Sequence, residues 1–202
     1  MATLGKHAVV LGASISGLLA ARVLADYFES VTVVERDALG DTPDNRRGVP
    51  QGRHLHGLLM RGSQVIDDMF PGILDEVVAA GAPHFDGTDL SRMYLCMNGH
   101  VLARAGDAEE LAIYGPSRPL LESHIRRRTR SLGNVTLLDA HDVVDVTSTP
   151  SRDRVTGVCV VPMEEATNPS WRPSSSSTRP DAARAHRRFS DDSVTHAQPK
   201  RR

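Results

Sequence analysis

The fold is decided by the opening stretch of the chain, which reads HAVVLGASISG over residues 7–17. A continuous apolar run such as residues 8–11 is typical of a buried parallel strand. The glycine-bearing turn after it leads into an apolar helical run, and a second apolar strand, VTVVE, follows at residues 31–35. Strand, glycine turn, helix and a second strand ending in a carboxylate make up the βαβ unit that holds the ADP half of a dinucleotide.

Each position of the glycine turn has a physical role toward a nucleotide. Gly12 lies where the chain turns sharply, and Gly17 lets the helix pack close to the strand. Ser14 stands where a glycine normally admits the pyrophosphate, and its hydroxyl can donate to a phosphate oxygen. The helix N-terminus favours an anion at this place. The predicted pyrophosphate site therefore consists of Gly12, Ala13, Ser14, Ile15, Ser16 and Gly17.

The acidic residue that closes the second strand bears on the kind of dinucleotide. Glu35 follows the turn by roughly twenty residues, where the motif has a carboxylate for the ribose hydroxyls. A carboxylate favours a free 2′-hydroxyl, and therefore FAD or NAD over NADP. Arg36 is adjacent to Glu35 and is included in the predicted site. Because of this arginine, the sequence leaves open whether NADP is excluded. The alternative is an ordinary βαβ unit that binds no ligand.

Three stretches of this sequence resemble one family. The first is GASISGLLAARVL at residues 12–24 with VTVVERD at residues 31–37, which is similar to the opening of the FAD-dependent aromatic-hydroxylase and epoxidase-type monooxygenases. The second, RRGVPQGRHLHGLL at residues 46–59, resembles the family's loop along the flavin. The third, SRPLLE at residues 117–122, resembles the start of a helix whose arginine reaches the cofactor. The resemblance adds Arg53 and Arg118 to the predicted cofactor site.

The resemblance implies an FAD-binding oxidoreductase of monooxygenase type, a hydroxylase or epoxidase of EC 1.14 type. It implies FAD as cofactor, NAD(P)H as reductant and a small organic substrate. Because the flavin carries the chemistry, we nominate no catalytic residue, and we predict no metal site. Two alternatives stay open, an NAD(P)-binding Rossmann reductase and a non-enzymatic nucleotide-binding fragment. The substrate, the choice of NADH or NADPH and the oligomeric state do not follow from the sequence.

The residues of the second stretch support this interpretation on their own chemistry. Arg46, Arg47 and Arg53 can neutralise a diphosphate or the N1–C2 region of a reduced flavin. His54 and His56 could line a site, with exposed loop positions as the alternative. For Arg53 and Arg118 the alternative is a surface or ion-paired arginine. A further basic cluster ends the next helix, where cations suit the helix dipole. We interpret that cluster as a solvated face; its members are Arg126, Arg127, Arg128 and Arg130.

The βαβ unit and the chain length predict one α/β domain, and the net charge gives no nucleic-acid signature. The chain has 202 residues, a net charge of −1 and two cysteines without metal-ligand spacing. We see neither a signal peptide nor a membrane-length apolar run, and we expect a cytoplasmic protein. Beyond the βαβ unit, the pattern predicts two helical regions, over 58–80 with a break at Pro71-Gly72 and over 119–132. It predicts a hairpin within 93–103 that turns at Asn98-Gly99. A third parallel strand over 135–138 and a small β-meander over 142–147 and 155–161 follow.

The composition changes abruptly at residue 163. Residues 1–162 are predicted to form a partial FAD/NAD(P)-binding Rossmann-like domain, whereas residues 163–202 lack Leu, Ile and Gly and are rich in Ser, Arg and Pro. Such a segment is predicted to be disordered. If residues 174–184 are back-translated with GC-rich codons and read one base earlier, the shifted frame can encode an apolar strand followed by an Asp-Ala-Thr-Gly motif. Our hypothesis is a frameshifted, truncated monooxygenase without assured activity, to be tested by sequencing the coding DNA; a Ser/Arg/Pro-rich interaction tail is the alternative.

Overall fold

The computed structural model describes residues 3–54, 56–108 and 111–163, and the backbone of residues 187–190. Two compact units make up the chain: the first unit is Met1–Asp41 with Arg126–Arg202, and the second unit is Thr42–Ile125. In chain order the helices and strands are β1 (Gly5–Leu11), α1 (Ile15–Ala25), β2 (Phe28–Val34), α2 (Met60–Met69), α3 (Ile73–Ala79), β3 (His84–Phe85), β4 (Cys96–Met97), β5 (His100–Val101), β6 (Ile113–Tyr114), α4 (Arg118–Arg130), β7 (Val135–Leu138), β8 (His141–Ser148), β9 (Val155–Pro162) and β10 (Arg187–Ser190).

The first unit contains a short parallel sheet. Strand β2 lies in the middle, with β1 on one side and β7 on the other. The register pairs Val10 with Val33, and Val33 with Leu137. The valines of β2 are buried, because β-branched side chains pack well on the pleated surface of a sheet that is covered. The predicted βαβ elements and the predicted third parallel strand are confirmed.

An antiparallel sheet in the order β10-β9-β8 accompanies the parallel one. Val158 and Val160 of β9 cluster with Val34 of β2, so the two sheets of the first unit share apolar side chains. The turn between β8 and β9 is closed by hydroxyls of Thr149 and Ser151, which donate to the Asp153 carboxylate over 2.6 and 2.8 Å. These bonds, Thr149 first, lower the pKa of Asp153 below its usual value. The predicted antiparallel strands over 142–147 and 155–161 are confirmed.

Strand β10 is a difference from the sequence-based expectation. Its backbone pairs with β9, with Arg187 opposite Val160, inside the segment that composition assigned to disorder. The physical reason is that an edge strand such as β9 offers unpaired N–H and C=O groups, which bind extended backbone with little regard to composition. The rest of the predicted tail lies outside the described residues. Its disorder and the frameshift stay predictions.

The second unit contains helices α2 and α3, the hairpin β4–β5 and the antiparallel pair β3–β6. Helices α2 and α3 are separated at Gly72, whose φ of +82° no L side chain adopts readily, so the break predicted at Pro71-Gly72 is confirmed. Strands β4 and β5 form a hairpin over Asn98 and Gly99, both with positive φ, as the sequence predicted, although the paired strands are shorter. Helix α4 agrees with the predicted 119–132. None of the helices in the described ranges is long and apolar enough to cross a bilayer.

Replacement of Leu18 tests the core of the first unit. Leu18 is fully buried on α1, whereas Val23 of the same helix is exposed. We expect Leu18→Ala to lower the free energy of unfolding by about 2–5 kcal/mol, because it leaves a cavity in a packed core. Val23→Ala is the control and should change stability by less than about 0.5 kcal/mol. Urea denaturation followed by circular dichroism measures both, and equal effects would contradict this packing.

Candidate nucleotide-binding site

The turn after β1 has the conformation that the glycine pattern predicts. Gly12 has a φ of +94°, in the left-handed region that favours glycine, and its N–H donates to the Val34 carbonyl over 2.7 Å. The turn therefore begins at the carboxyl ends of β1 and β2. Apart from Gly12 and its two chain neighbours, no described residue has an atom within 4 Å of the place that a Cβ on Gly12 would occupy. This side of the turn is open to a ligand.

Gly17 is required for a different reason from Gly12. A Cβ placed on Gly17 would lie 1.9 Å from the Gly12 carbonyl oxygen and 3.5 Å from Val10 Cγ1. Only a residue without a side chain lets α1 approach the turn and strand this closely. The two glycines thus have the separate roles that the sequence predicts, one for conformation and one for packing.

The N-terminus of α1 leaves polar groups available to an anion. Ser14 is the N-cap, and in the described part of the chain its side chain forms no capping bond. The Leu18 N–H donates to the Ser14 carbonyl over 2.9 Å and is the donor that opens the helix. The N–H groups of residues 15–17 precede this donor, so helix geometry leaves them at the free end. Such N–H groups and the Ser14 hydroxyl fit a pyrophosphate.

Glu35 is brought directly to the glycine turn. Its side chain is buried, with the residue 8% exposed. Oε2 accepts a hydrogen bond from the Ala13 N–H over 2.6 Å, and Oε1 accepts one from the Asp37 N–H over 2.9 Å. Glu35 therefore places a carboxylate acceptor at the end of β2, beside the glycine turn. Its role as an anchor between turn and strand was not anticipated from the sequence, which carries no signal of this bond.

The loop that follows Glu35 is held by the first unit's own residues. The Leu39 N–H donates to Asp139 Oδ2 over 2.7 Å, and Arg126 donates to the Gly40 carbonyl over 2.9 Å. Arg130 adds an ion pair with Asp41 at 2.8 Å. Arg126 is only 5% exposed, so the interpretation of the basic end of α4 as a solvated face is wrong for this residue. The buried Arg126 guanidinium supplies the donor for the Gly40 carbonyl, as buried polar groups require.

The remaining predicted residues take different positions. Arg36 is exposed beside Glu35 in the first unit. In the second unit, Arg53 is exposed at the end of the 3-10 helix Pro50–Arg53, and Arg118 opens α4 half-buried. Within the described residues, the buried Nε of Arg118 has no hydrogen-bond partner, which leaves a donor for an anionic ligand.

Two further loop candidates have partners within the protein. Arg46 is engaged by Glu122, whose Oε1 accepts from the Arg46 Nε over 2.9 Å. The ring Nδ1 of His56 lies 2.7 Å from the carbonyl oxygen of His54. Sequence reasoning could not find the partner of Arg46, because Glu122 is 76 residues away along the chain.

Comparison with known proteins yields one curated relative. Protein Rv3254 of Mycobacterium tuberculosis (strain ATCC 25618 / H37Rv) is 50% identical to this chain over 133 residues. The match covers 65% of this chain and 28% of that protein, so the chain spans little more than a quarter of its relative's length. No protein-family model matches the chain.

Solved structures share the fold at low sequence identity. PqsL of Pseudomonas aeruginosa, a probable FAD-dependent monooxygenase, has a TM-score of 0.54 at 15% identity, over 77% of this chain and 38% of that one. The FAD-dependent halogenase CndH of a myxobacterium has a TM-score of 0.54 at 21% identity, over 79% and 34%. The p-nitrophenol 4-monooxygenase PnpA of Pseudomonas putida DLL-E4 has a TM-score of 0.51 at 19% identity, over 77% and 36%. The fold is therefore one that FAD-dependent monooxygenases and halogenases use.

Replacement of Gly17 tests the close approach of α1 to the turn. We expect Gly17→Ala to cost about 1–3 kcal/mol or more of stability, because the Cβ collides with the Gly12 backbone. Gly62→Ala, in α2, is the matched control: beyond its own helix backbone and chain neighbours, its Cβ would meet, among the described residues, only Leu58 Cδ2 within 4 Å, at 3.5 Å. That control should gain about 0.5–1 kcal/mol, as alanine does in a helix. Thermal unfolding measures both, and a Gly17→Ala protein as stable as the control would contradict the geometry.

Replacement of Glu35 tests its anchoring role without any nucleotide. Glu35→Ala removes both acceptors, so we expect a loss of at least about 1.5–3 kcal/mol, the range for one hydrogen bond to a charged group. Glu35→Gln, which keeps one acceptor oxygen, should lie between wild type and Glu35→Ala. The control is Glu29→Ala, an exposed glutamate of the same strand, which should be neutral. Unfolding in nucleotide-free buffer is decisive, since a purely ligand-binding Glu35 would leave stability unchanged there.

Proposed function

We propose that this chain binds FAD and serves an oxidoreductase of the monooxygenase type, a hydroxylase or epoxidase. The observation that carries the proposal is the open turn of residues 12–17, with Gly12 in the left-handed conformation and the Glu35 carboxylate beside it. The fold, which FAD-dependent monooxygenases and halogenases also use, supports the choice of cofactor. FAD, when bound, would supply the redox chemistry, with NAD(P)H as reductant.

The residues of the first unit would hold the ADP half of the cofactor. The N–H groups at the start of α1 and the Ser14 hydroxyl would donate to the pyrophosphate. Glu35 would accept from the ribose hydroxyls while it keeps its bonds to the Ala13 and Asp37 N–H groups. A 2′-phosphate would meet the Glu35 charge, which supports FAD or NAD over NADP.

The residues of the second unit would serve the anionic parts of FAD. The Arg118 Nε would find in the cofactor the acceptor that the described residues do not provide. Arg53 is exposed and would contribute its charge. Arg36, exposed in the first unit, completes the proposed set. No side chain is assigned a catalytic role, because these groups bind and orient.

The substrate is proposed only by class. PqsL has been solved in complex with 2-aminobenzoylacetate, at a TM-score of 0.53 to this chain over 39% of PqsL. That complex supports a small organic substrate. The whole protein's activity is a proposal in the same sense, since this chain spans a minor part of the proteins it resembles. An NAD(P)-binding reductase and a nucleotide-binding fragment without activity are the competing functions.

A cofactor titration tests the proposal. We expect the purified chain to show a flavin spectrum or to quench FAD fluorescence with saturation, and NADH to compete poorly. The Gly17→Ala protein is the control, because displacement of the Gly12 backbone by the new Cβ should weaken FAD binding. Saturable NADH binding without FAD binding would favour the reductase and overturn the proposal. Binding of neither would also overturn it, and FAD binding without NADPH oxidation above the free-flavin rate would identify a non-enzymatic fragment.

A further inference from the structure

A buried ion pair stands out among the charged groups of the second unit. The side chains of Arg46 and Glu122 are 9% and 5% exposed, and the Arg46 Nε and Nη2 groups both donate to Glu122 Oε1. Exposed ion pairs contribute little and tolerate loss of a partner. A buried pair does not, because removal of one charge leaves the other desolvated. The position of Arg46 therefore depends on Glu122.

The loop that carries Arg46 is compact. The Val49 N–H donates to the Arg46 carbonyl over 3.1 Å, and the Gly52 N–H donates to the Val49 carbonyl over 2.9 Å. Val49 is buried. A Cβ on Gly52 would lie 2.7 Å from Asn45 Oδ1 and 3.7 Å from Pro119 Cγ. The loop thus packs on itself and against the first turn of α4.

Three cationic side chains surround this loop, together with the exposed carboxylate of Asp44. Arg47 and Arg53 are exposed on it, and Arg118 lies across from it on α4. A small cleft of about 10 Å³, room for about one water molecule, is lined by the loop, Asp44 included, and by Arg118, Pro119 and Glu122. This cleft is far smaller than the roughly 300–1,000 Å³ of a site for a whole ligand. It is a gap between the loop of residues 45–53 and the first turn of α4, and the Arg46–Glu122 ion pair lines it.

We propose that Glu122 is a positioning residue for the cofactor. Through Arg46 it holds residues 45–53 against α4, and so fixes the exposed Arg53 and the Arg118 guanidinium before FAD arrives. This inference rests on the proposed function, because Arg53 and Arg118 act there on FAD. An ordered loop spares FAD binding the entropy of arranging these side chains. Glu122 itself needs no contact with the cofactor.

The test compares Glu122→Gln with Glu76→Gln in the full chain. Gln keeps the size of Glu122 and removes the charge that Arg46 requires. Glu76→Gln is the matched control. Glu76, on α3, has its Oε2 3.5 Å from Nδ1 of His124, which lies on α4 as Glu122 does, so this pair also involves α4 but not the loop of residues 45–53. FAD affinity is measured by fluorescence quenching at a temperature at which circular dichroism shows each protein folded. Limited trypsin digestion measures how fast the chain is cut after Arg47 and Arg53.

We expect Glu122→Gln to weaken FAD binding at least about tenfold, as loss of a residue that supports a ligand contact does. Cleavage after Arg47 and Arg53 should accelerate in the same protein. Glu76→Gln should stay within about twofold of wild type in both measurements, and the exchange Arg46→Glu with Glu122→Arg should restore much of the affinity. Arg46→Lys, which keeps the charge but not the two-donor geometry, takes the place of Glu122→Gln if that variant does not fold.

Three results would overturn the inference. One is FAD affinity within twofold of wild type in Glu122→Gln. Another is weaker binding with unchanged cleavage, because the effect would then not pass through the loop. The third is equal loss in Glu76→Gln, which would indicate general destabilisation. If wild type does not bind FAD, the proposed function fails with the cofactor role of Glu122, whereas failure in the variants alone leaves the proposed function intact.

Discussion

The hydrogen bond from the Ala13 N–H to the Glu35 carboxylate is the contact on which the nucleotide site depends. It ties the turn after β1 to the end of β2, and the second oxygen of the same carboxylate ties Asp37 to that point. A turn with a left-handed Gly12 has many alternative conformations in a free chain. One charged acceptor, buried and shared by two backbone donors, selects the conformation that presents the start of α1 to a phosphate.

Charged groups serve as scaffold in both units. In the first unit, the end of α4 supplies Arg126 and Arg130 to the loop after Glu35, and Asp139 receives that loop's Leu39 N–H. In the second unit, Glu122 fixes Arg46. Loops cannot satisfy their own backbone groups as helices and sheets do. Side-chain donors and acceptors satisfy them here, so Arg46, a predicted ligand contact, and Arg126, a predicted solvated residue, both have structural partners.

Local rules predicted most of the elements. Apolar runs gave the parallel strands, and the pair Asn98-Gly99 gave a hairpin because both residues accept positive φ. The position of Gly17 predicted the close helix approach, since this role belongs to the motif itself. Strand β10 was missed, because its pairing is determined by the free edge of β9 and not by its own composition.

The sequence by itself determined the βαβ order, the residues of the glycine turn and an acidic residue at the end of β2. These features depend on neighbours within a few positions, where periodicity and backbone conformation act directly. Only the tertiary structure decided which partners the charged side chains have and which of them are buried. It engaged Glu35 with the turn, buried Arg126 and paired Arg46 with Glu122 across 76 residues of chain. Electrostatic pairing depends on distance in space and on burial, and neither is encoded in the local pattern of residues.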